Sequence, residues 1–299
     1  YERPYHRPAP TKIPAGRIEI GFGGDVRFAA ETLSLADARA EVRFTGKETA
    51  RIFVHASEDV GMIEIRSKTP PIPRLAAPPF SGKAKGAGDT NTNTTDLSLL
   101  GYPAPVETQG DTWRAFTQEG AEGFRFAAYL AWNRRGNTWT AAWSVASSRE
   151  GADPLAIARG RVEKALNAGF GSMFASHRAW WEAYWKKSSI RLPNPVIERQ
   201  WYLEQYKFGA ASRRGHPPIT LQAVWTADNE QIPPWKGDYH HDLNTELSYW
   251  PCYAANHLEE GLSYLDWLWD TRDVCREWTK FFFNLPGLNV PMTADINNN

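Results

Sequence analysis

The sequence contains little cysteine and has no net charge, and these two shortages exclude several classes of protein. Cys252 and Cys275 are the only cysteines in 299 residues, and no CxxC pair or Cys/His group has zinc-ligand spacing. A disulfide scaffold and a structural zinc site are therefore not expected. Lys plus Arg equals Asp plus Glu at 34 each, so no net charge attracts the chain to nucleic acid or to an anionic membrane.

Long apolar runs are also missing. No apolar run reaches the roughly 18 residues that a membrane-spanning helix needs, so we expect no span, and no signal peptide or initiator Met is visible. The chain begins at Tyr1 and ends at Asn299, which reads as a processed or cut piece. We expect a secreted or periplasmic bacterial protein, and the sequence does not indicate its oligomeric state.

Residues 1–150 carry short segments in which apolar and polar residues alternate, a pattern typical of half-buried strands. An Arg-Arg-Gly-Asn sequence between two further apolar segments predicts a hairpin, and residues 69–105 read as a long loop. The first half is therefore predicted to be an antiparallel β-sandwich. Its predicted strands include residues 17–22, 41–44, 51–55 and 62–66, and the predicted hairpin arms are 124–132 and 138–145.

The character of the sequence changes near residue 150, and ten of the 14 Trp residues lie beyond it. Asp153-Pro154 is an N-cap signal for a first helix, which a second helix at 172–187 follows, so residues 151–190 are predicted to be a helical linker. Residues 191–299 alternate helical periodicity with polar loops and are predicted to begin an α/α barrel. Its helices are predicted from 196 to about 214, from about 244 with a kink at Pro251, and from 259 to 283.

The most informative segment is residues 233–251, PPWKGDYHHDLNTELSYWP. It holds three carboxylates, two histidines, one asparagine, two tyrosines and two tryptophans. Sugars offer hydroxyls to carboxylates, amides and imidazoles, and they offer an apolar C–H face to aromatic rings. The segment therefore predicts a carbohydrate site.

This segment and the stretches 177–194, 201–218 and LQAVW at 221–225 resemble glycoside hydrolase family 95, the inverting α-L-fucosidases and α-L-galactosidases of the six-hairpin glycosidase superfamily. The resemblance covers residues 10–285 in outline and is specific from His177 onward. It implies a mixed fold, β then α: an antiparallel β-sandwich, a helical linker and the start of an (α/α)6 barrel. The family motif opens Pro-Pro-Trp and runs Tyr-His-x-Asn-x-Asn to Tyr-Trp-Pro.

Carried over by position, the resemblance places the family's substrate-contacting histidine on His240 and its water-orienting asparagine pair on Asp242 and Asn244. Asp242 thus stands where the family has asparagine, and it could activate water directly or bind a different hydroxyl. Glu246 has no family counterpart. The resemblance also implies that the general-acid glutamate and a supporting aspartate lie further along the barrel than residue 299. No cofactor is expected, and no metal is expected because no second ligand pair at helical spacing accompanies the two histidines.

Each of these residues also has a structural interpretation. Asp242, Asn244 and Glu246 could simply cap the following helix, which remains compatible with catalysis. Adjacent histidines in an extended segment point in opposite directions, so only one of His240 and His241 is expected to face the pocket, and His240 is favoured. Substrate binding is predicted for His240, His241, Tyr239, Glu246, Trp235 and Trp225, although aromatic residues in a barrel also pack in the core.

Three functions remain open from the sequence. The leading one is an inverting exo-glycosidase that acts on α-linked terminal sugars of a polysaccharide or glycoconjugate. The second is a polysaccharide lyase acting at a uronic-acid linkage such as rhamnose–glucuronate, with His240 or Tyr239 as the base and an Arg or Lys neutralising the carboxylate. The third is a non-catalytic carbohydrate-binding protein. An oligo- or polysaccharide is the expected partner in all three.

Overall fold

The computed structural model describes residues 11–81, 95–225 and 231–298. The chain divides into a sheet unit, Ala15–Lys83 and Leu100–Ala183, and a helical unit, Tyr1–Pro14, Ala84–Leu99 and Tyr184–Asn299. The predicted limits at residues 150 and 190 differ from this division, because the first helix and most of the second pack on the sheet. Of the predicted loop 69–105, residues 82–94 lie outside the described residues.

An antiparallel sheet of eight strands dominates the described part of the sheet unit. The strands of this unit are β1 Arg17–Gly21, β2 Phe28–Ser34, β3 Arg39–Phe44, β4 Thr49–Val54, β5 Gly61–Arg66, β6 Ile72–Ala76, β8 Val106–Gly110, β9 Trp113–Glu119, β10 Arg125–Arg135 and β11 Thr138–Ser147. The strand order in the large sheet is β2-β3-β4-β5-β11-β10-β9-β8, and β1 pairs separately with β6. Strand β7, Thr95–Asp96, belongs to the helical unit.

The predicted hairpin is confirmed, because β10 and β11 pair from Phe126 with Ser147 to Arg135 with Thr138. Gly136 opens its two-residue turn with a φ of 60°, a conformation that glycine adopts without a steric penalty. Glycine is needed at position 61 for a different reason, because a Cβ atom there would overlap the Trp143 ring. The alternating strands predicted around residues 17–22, 41–44, 51–55 and 62–66 are present as β1, β3, β4 and β5.

The two faces of the large sheet are covered differently. On one face Ile63, Ile65 and Leu130 pack with Ile18 and Leu75 of the β1–β6 pair. The other face packs against helices α1 Pro154–Ala168 and α2 Phe170–Trp185, through residues that include Met62, Tyr129, Val162 and Phe170. The antiparallel sheet is confirmed, with the β1–β6 pair on one face and helices on the other.

Helix α1 begins as its sequence predicts. Asp153 Oδ1 accepts a hydrogen bond from Ala156 N at 3.0 Å, and Pro154 occupies the first turn, where its missing N–H costs nothing. Ala158, Val162 and Ala165 follow at helical spacing and are fully buried against the sheet. The predicted linker is thus a covering layer of the sheet unit.

Helices make up most of the described helical unit: α3 Pro195–Ala211, α4 Leu243–Ala254, α5 Leu258–Asp270 and α6 Arg272–Phe283. Short strand pairs join β12 Gln231–Ile232 to β7, and β13 Tyr239–His240 to β14 Thr293–Ala294. Pro251 lies inside α4, which ends three residues later. The start of an α/α barrel after an antiparallel sheet agrees with the predicted fold class.

The single helix predicted from residue 259 to 283 is in fact two helices. Thr271 separates them with a ψ of 5°, and its hydroxyl donates to the Trp267 carbonyl at 2.8 Å. A threonine hydroxyl that binds the backbone one turn earlier competes with regular helix geometry, which explains the break. None of the helices in the described residues is long and apolar enough to cross a membrane.

Candidate active site

The polar segment that precedes α4 is held at several points along the backbone. Tyr239 pairs with Ala294 in the β13–β14 ladder, and His241 N donates to the Met292 carbonyl at 2.7 Å. Further back, Leu221 N donates to the Asp238 carbonyl at 2.8 Å. The segment is therefore a supported connection whose side chains have defined directions.

Tyr239 and His241 belong to an aromatic stack. The Tyr239 ring lies 4.7 Å from the Trp267 ring and 6.1 Å from the His241 ring, measured between centroids. Tyr239 is buried, with 3% of its surface exposed. It therefore packs in the core, which corrects the expectation that it contacts substrate directly or serves as a base.

Asp242 caps helix α4. Its Oδ1 accepts a hydrogen bond from Asn244 N at 3.5 Å, and its carbonyl accepts one from Glu246 N at 3.1 Å. A carboxylate at this position is favoured by the free N–H groups and by the helix dipole. The capping interpretation is confirmed, and capping also fixes where the carboxylate lies.

A cleft of ≈ 200 Å³ opens beside this cap. Asp242 and Glu246, one helical turn apart, both lie on its wall with His241. The cleft is smaller than the roughly 300–1,000 Å³ typical of ligand pockets. Its lining consists of His241, Asp242, Thr245, Glu246, Tyr249, Trp250, Tyr253, Tyr264 and Leu265.

The cleft combines acceptors with exposed aromatic rings. Trp250 and Tyr253 are 55% and 58% exposed, although they lie on the same wall as the two carboxylates. Flat rings accessible to solvent beside hydrogen-bonding groups suit a ligand with hydroxyls on its edge and C–H groups on its face. The cleft thus has the chemistry expected of a sugar site.

His241 is the histidine that faces the cleft, which corrects the preference for His240. Burial lowers the pKa of His241 to about 4, so the ring is neutral at pH 7. Burial also raises the pKa of Tyr264 to about 12, so its hydroxyl keeps its proton, and this hydroxyl and His241 Nδ1 share a hydrogen bond of 3.0 Å.

His240 turns to the other side of the segment. Its Nδ1 lies 2.5 Å from Asp238 Oδ1, and the Trp235 ring meets it edge to face at 5.9 Å. Burial raises the pKa of the Asp238 carboxyl to about 6, and His240 and Lys236 work against this rise. His240 is therefore half of a carboxylate–imidazole pair outside the cleft lining.

The remaining predicted site residues lie outside the cleft lining. Asn244 is exposed on the first turn of α4, and its carbonyl accepts from the Ser248 hydroxyl at 2.9 Å. Trp235 is 39% exposed beside His240, and Trp225 is 49% exposed at the edge of the described residues. Of the eight predicted residues, the structure brings His241, Asp242 and Glu246 together at the cleft.

Sequence reasoning missed several residues of the cleft wall. Tyr253 follows Asp242, Glu246 and Trp250 at helical spacing, so the periodicity of α4 could have placed it on the same face. Tyr264 and Leu265 come from α5, and only the packing of the two helices brings them to the cleft. Asp238 was counted among the carboxylates without a role. No group of three or more potential metal ligands occurs among the described residues.

Comparison with known proteins agrees with the fold. A solved structure titled "Putative kojibiose phosphorylase from human microbiome" superposes with a TM-score of 0.64 at 13% sequence identity, over 94% of this chain. The chain spans 39% of that protein's length. The likeness shows a shared fold, and a search of curated proteins finds no match.

Residues 181–299 match the family described as "Glycosyl hydrolase family 95 catalytic domain". The matched region contains α3 to α6, the cap Asp242 and every residue of the cleft lining. The resemblance to family 95 is thereby confirmed for this part of the chain. This part of the chain is therefore similar to a glycoside hydrolase catalytic domain.

Proposed function

We propose that the protein is an inverting exo-glycosidase that removes α-linked terminal sugars, of the fucosidase or galactosidase type, from a polysaccharide or glycoconjugate outside the cytoplasm. One observation carries the proposal. Two carboxylates and two exposed aromatic rings share one cleft along α4, inside the region that matches family 95.

Asp242 is proposed to hold and activate the attacking water. Its carboxylate is fixed by the helix cap and lines the cleft, so it can accept a proton from water as the water oxygen bonds to the anomeric carbon. Asn244, on the same turn, assists through its side-chain amide. An inverting pair needs carboxyl groups roughly 6.5–9.5 Å apart with a protonated acid on the opposite face of the sugar.

Glu246 is not the partner acid in this proposal. Residues four apart on a helix have Cβ atoms only about 5–6 Å apart on one face, so Asp242 and Glu246 approach a sugar from the same side. Glu246 instead binds a hydroxyl. The acid in this proposal is a glutamate further along the barrel, as the resemblance to family 95 implies.

The experiment is a panel of plant and host glycans with products identified by mass. We expect release of a terminal monosaccharide with uptake of one water. Asp242→Asn should lower kcat about 100-fold or more and leave Tm unchanged, because asparagine caps a helix as well as aspartate does. The matched control is Asp153→Asn, the same exchange at the cap of α1.

Two results would reject the proposal. A product that lacks the added water and absorbs near the ultraviolet edge would identify a lyase, and binding without turnover would identify a carbohydrate-binding protein. Unchanged turnover in the Asp242→Asn variant would show that the Asp242 carboxylate is not the base that activates water, even if hydrolysis occurs.

A further inference from the structure

Two buried histidines connect helix α2 to the sheet, and the proposed catalytic mechanism uses neither of them. His177 lies on α2 and is 0% exposed, and His55 directly follows β4 and is 6% exposed. Their ring centroids are 5.8 Å apart, and the Phe53 ring lies 4.8 Å from the His177 ring. The two imidazoles therefore belong to one shielded contact between α2 and the end of β4.

His177 forms hydrogen bonds through both ring nitrogens. Its Nδ1 accepts from Ala56 N at 3.1 Å, and its Nε2 lies 2.8 Å from the carbonyl oxygen of Asp37, in the turn between β2 and β3. A backbone N–H can only donate and a carbonyl oxygen can only accept, so the ring is neutral with its proton on Nε2. His177 thereby attaches α2 to two segments of the sheet unit.

His55 has the same arrangement of its proton. Its Nδ1 accepts hydrogen bonds from Ser57 N at 3.2 Å and from Glu58 N at 3.1 Å. The proton of the neutral ring is therefore on Nε2, which donates to the Ser176 hydroxyl oxygen on α2 at 2.9 Å. The Ser176 hydroxyl in turn donates to the Met173 carbonyl at 3.0 Å, so its oxygen is available as an acceptor.

Neither ring can take up a second proton without losing hydrogen bonds. That proton would reside on Nδ1, where it would point at the backbone N–H of Ala56 or at those of Ser57 and Glu58. Two donors cannot form a hydrogen bond with each other, so protonation breaks the contact and places a charge in a shielded site. Burial accordingly lowers the pKa of His177 to about 4, and it also lowers the pKa of His55.

Charges around the pair modify this effect without cancelling it. Glu58 favours the charged form of His55 and Lys164 opposes it, and these two groups form an ion pair of 3.0 Å with each other. A charge on His55 also disfavours a charge on His177. Charged groups come from each element around the pair: Asp37 of the β2–β3 turn, Arg39 of β3, Arg51 of β4, Glu58 after β4 and Lys164 of α1.

We propose that His55 and His177 form a pH-sensitive attachment of α2 to the sheet: the neutral rings hold the helix in place, and a proton taken up by either ring breaks these hydrogen bonds and loosens the helix. The attachment does not depend on the proposed function, since neither histidine lines the cleft. Loosening would expose the Phe170 and Met173 side chains, which pack in the core between α2 and the sheet.

The proton positions provide the first test. ¹⁵N NMR of the full chain at pH 7 distinguishes the two nitrogens of each ring. We expect both histidines to be neutral, with the proton on Nε2 and a lone pair on Nδ1. A proton on Nδ1 of either ring at this pH overturns the proposal, because that nitrogen could not then accept the backbone N–H groups.

Hydrogen exchange provides the second test. We expect the protection of α2 amides, corrected for the intrinsic pH dependence of exchange, to fall at least about tenfold between pH 7 and pH 4.5. The amides of β10 serve as the internal reference and should lose less protection. An equal loss in α2 and β10 contradicts a local attachment, and so does constant protection of α2.

Variants assign the effect to the two rings. In His55→Asn the amide oxygen can still accept from the N–H groups two and three residues further on, and in His177→Asn it can accept from Ala56 N, but neither variant titrates. We expect the acid-dependent loss of α2 protection to be smaller in both. His216→Asn, at an exposed histidine, is the matched control and should retain the full loss. A full loss in both His55→Asn and His177→Asn overturns the proposal, and if His177→Asn does not fold, His55→Asn and the wild-type proton positions decide it.

Discussion

At the scale of single residues, Trp250 offers the clearest test of sugar stacking. Its ring is 55% exposed and lines the cleft, so its removal costs little packing. We expect Trp250→Ala to raise KM about tenfold, a loss of about 1.4 kcal/mol in binding, with little change in Tm. Trp269→Ala is the control, because Trp269 is 67% exposed and lies outside the cleft lining. Equal effects of both substitutions would contradict a stacking role for Trp250.

The buried His257 side chain is expected to make the folded protein less stable at acid pH. Its ring stacks on Tyr184 at 3.7 Å, 1% of the residue is exposed, and neither ring nitrogen has a hydrogen-bond partner in the described chain. Burial lowers its pKa from 6.5 to about 4. The unfolded chain therefore binds more protons between these pH values, and stability falls as the pH drops from about 6.5 to about 4.

His257→Phe keeps the stacking and removes the titration. We expect the fall of Tm between pH 7 and pH 4.5 to be smaller in this variant than in the wild type. His216, which is exposed, supplies the control substitution His216→Phe. If the Tm of His257→Phe depends on pH as that of the wild type does, other groups cause the loss of stability at acid pH.

At the scale of secondary structure, the cap of α1 can be tested without touching the site. Asp153 accepts the Ala156 N–H, and the helix it begins covers the sheet. Asp153→Ala should lower stability by about 1 kcal/mol, whereas Asp153→Asn should retain most of it. Denaturant midpoints of the three proteins measure the difference. A loss of equal size in both variants would indicate that the carboxylate acts by charge rather than by capping.

Short sequence patterns correctly predicted the cap, the turn and the strands that depend on neighbouring residues. The Asp153-Pro154 cap, the Gly136 turn and the alternating strands are present as expected. The break at Thr271 and the strand β6 inside the predicted loop were missed, because a side-chain hydrogen bond and pairing with β1 create them. Those interactions depend on partners that a window of sequence does not contain.

The candidate site, too, was predictable only in those features that depend on local sequence. The density of polar and aromatic groups in residues 233–251 identified the segment, and the cap position of Asp242 follows from residue type. The sequence could not decide which histidine faces the cleft. That choice depends on the Trp267 stack, which takes Tyr239 and His241 to one side and leaves His240 with Asp238.

At the scale of the whole molecule, the two units differ in what they contribute. The sheet unit buries both faces of its large sheet with helices and with the β1–β6 pair. The cleft and the Asp238–His240 pair belong to the helical unit, which contains most of the family 95 match. The chemistry is therefore expected to depend on residues of the helical unit.

The central claim is that the cleft at the start of α4 directs water onto an α-linked sugar from the face opposite the leaving group. Proton NMR during the first minutes of hydrolysis identifies the anomer that is released before mutarotation. The account predicts that the β-anomer appears first. Initial release of the α-anomer, or of an unsaturated sugar, would contradict it.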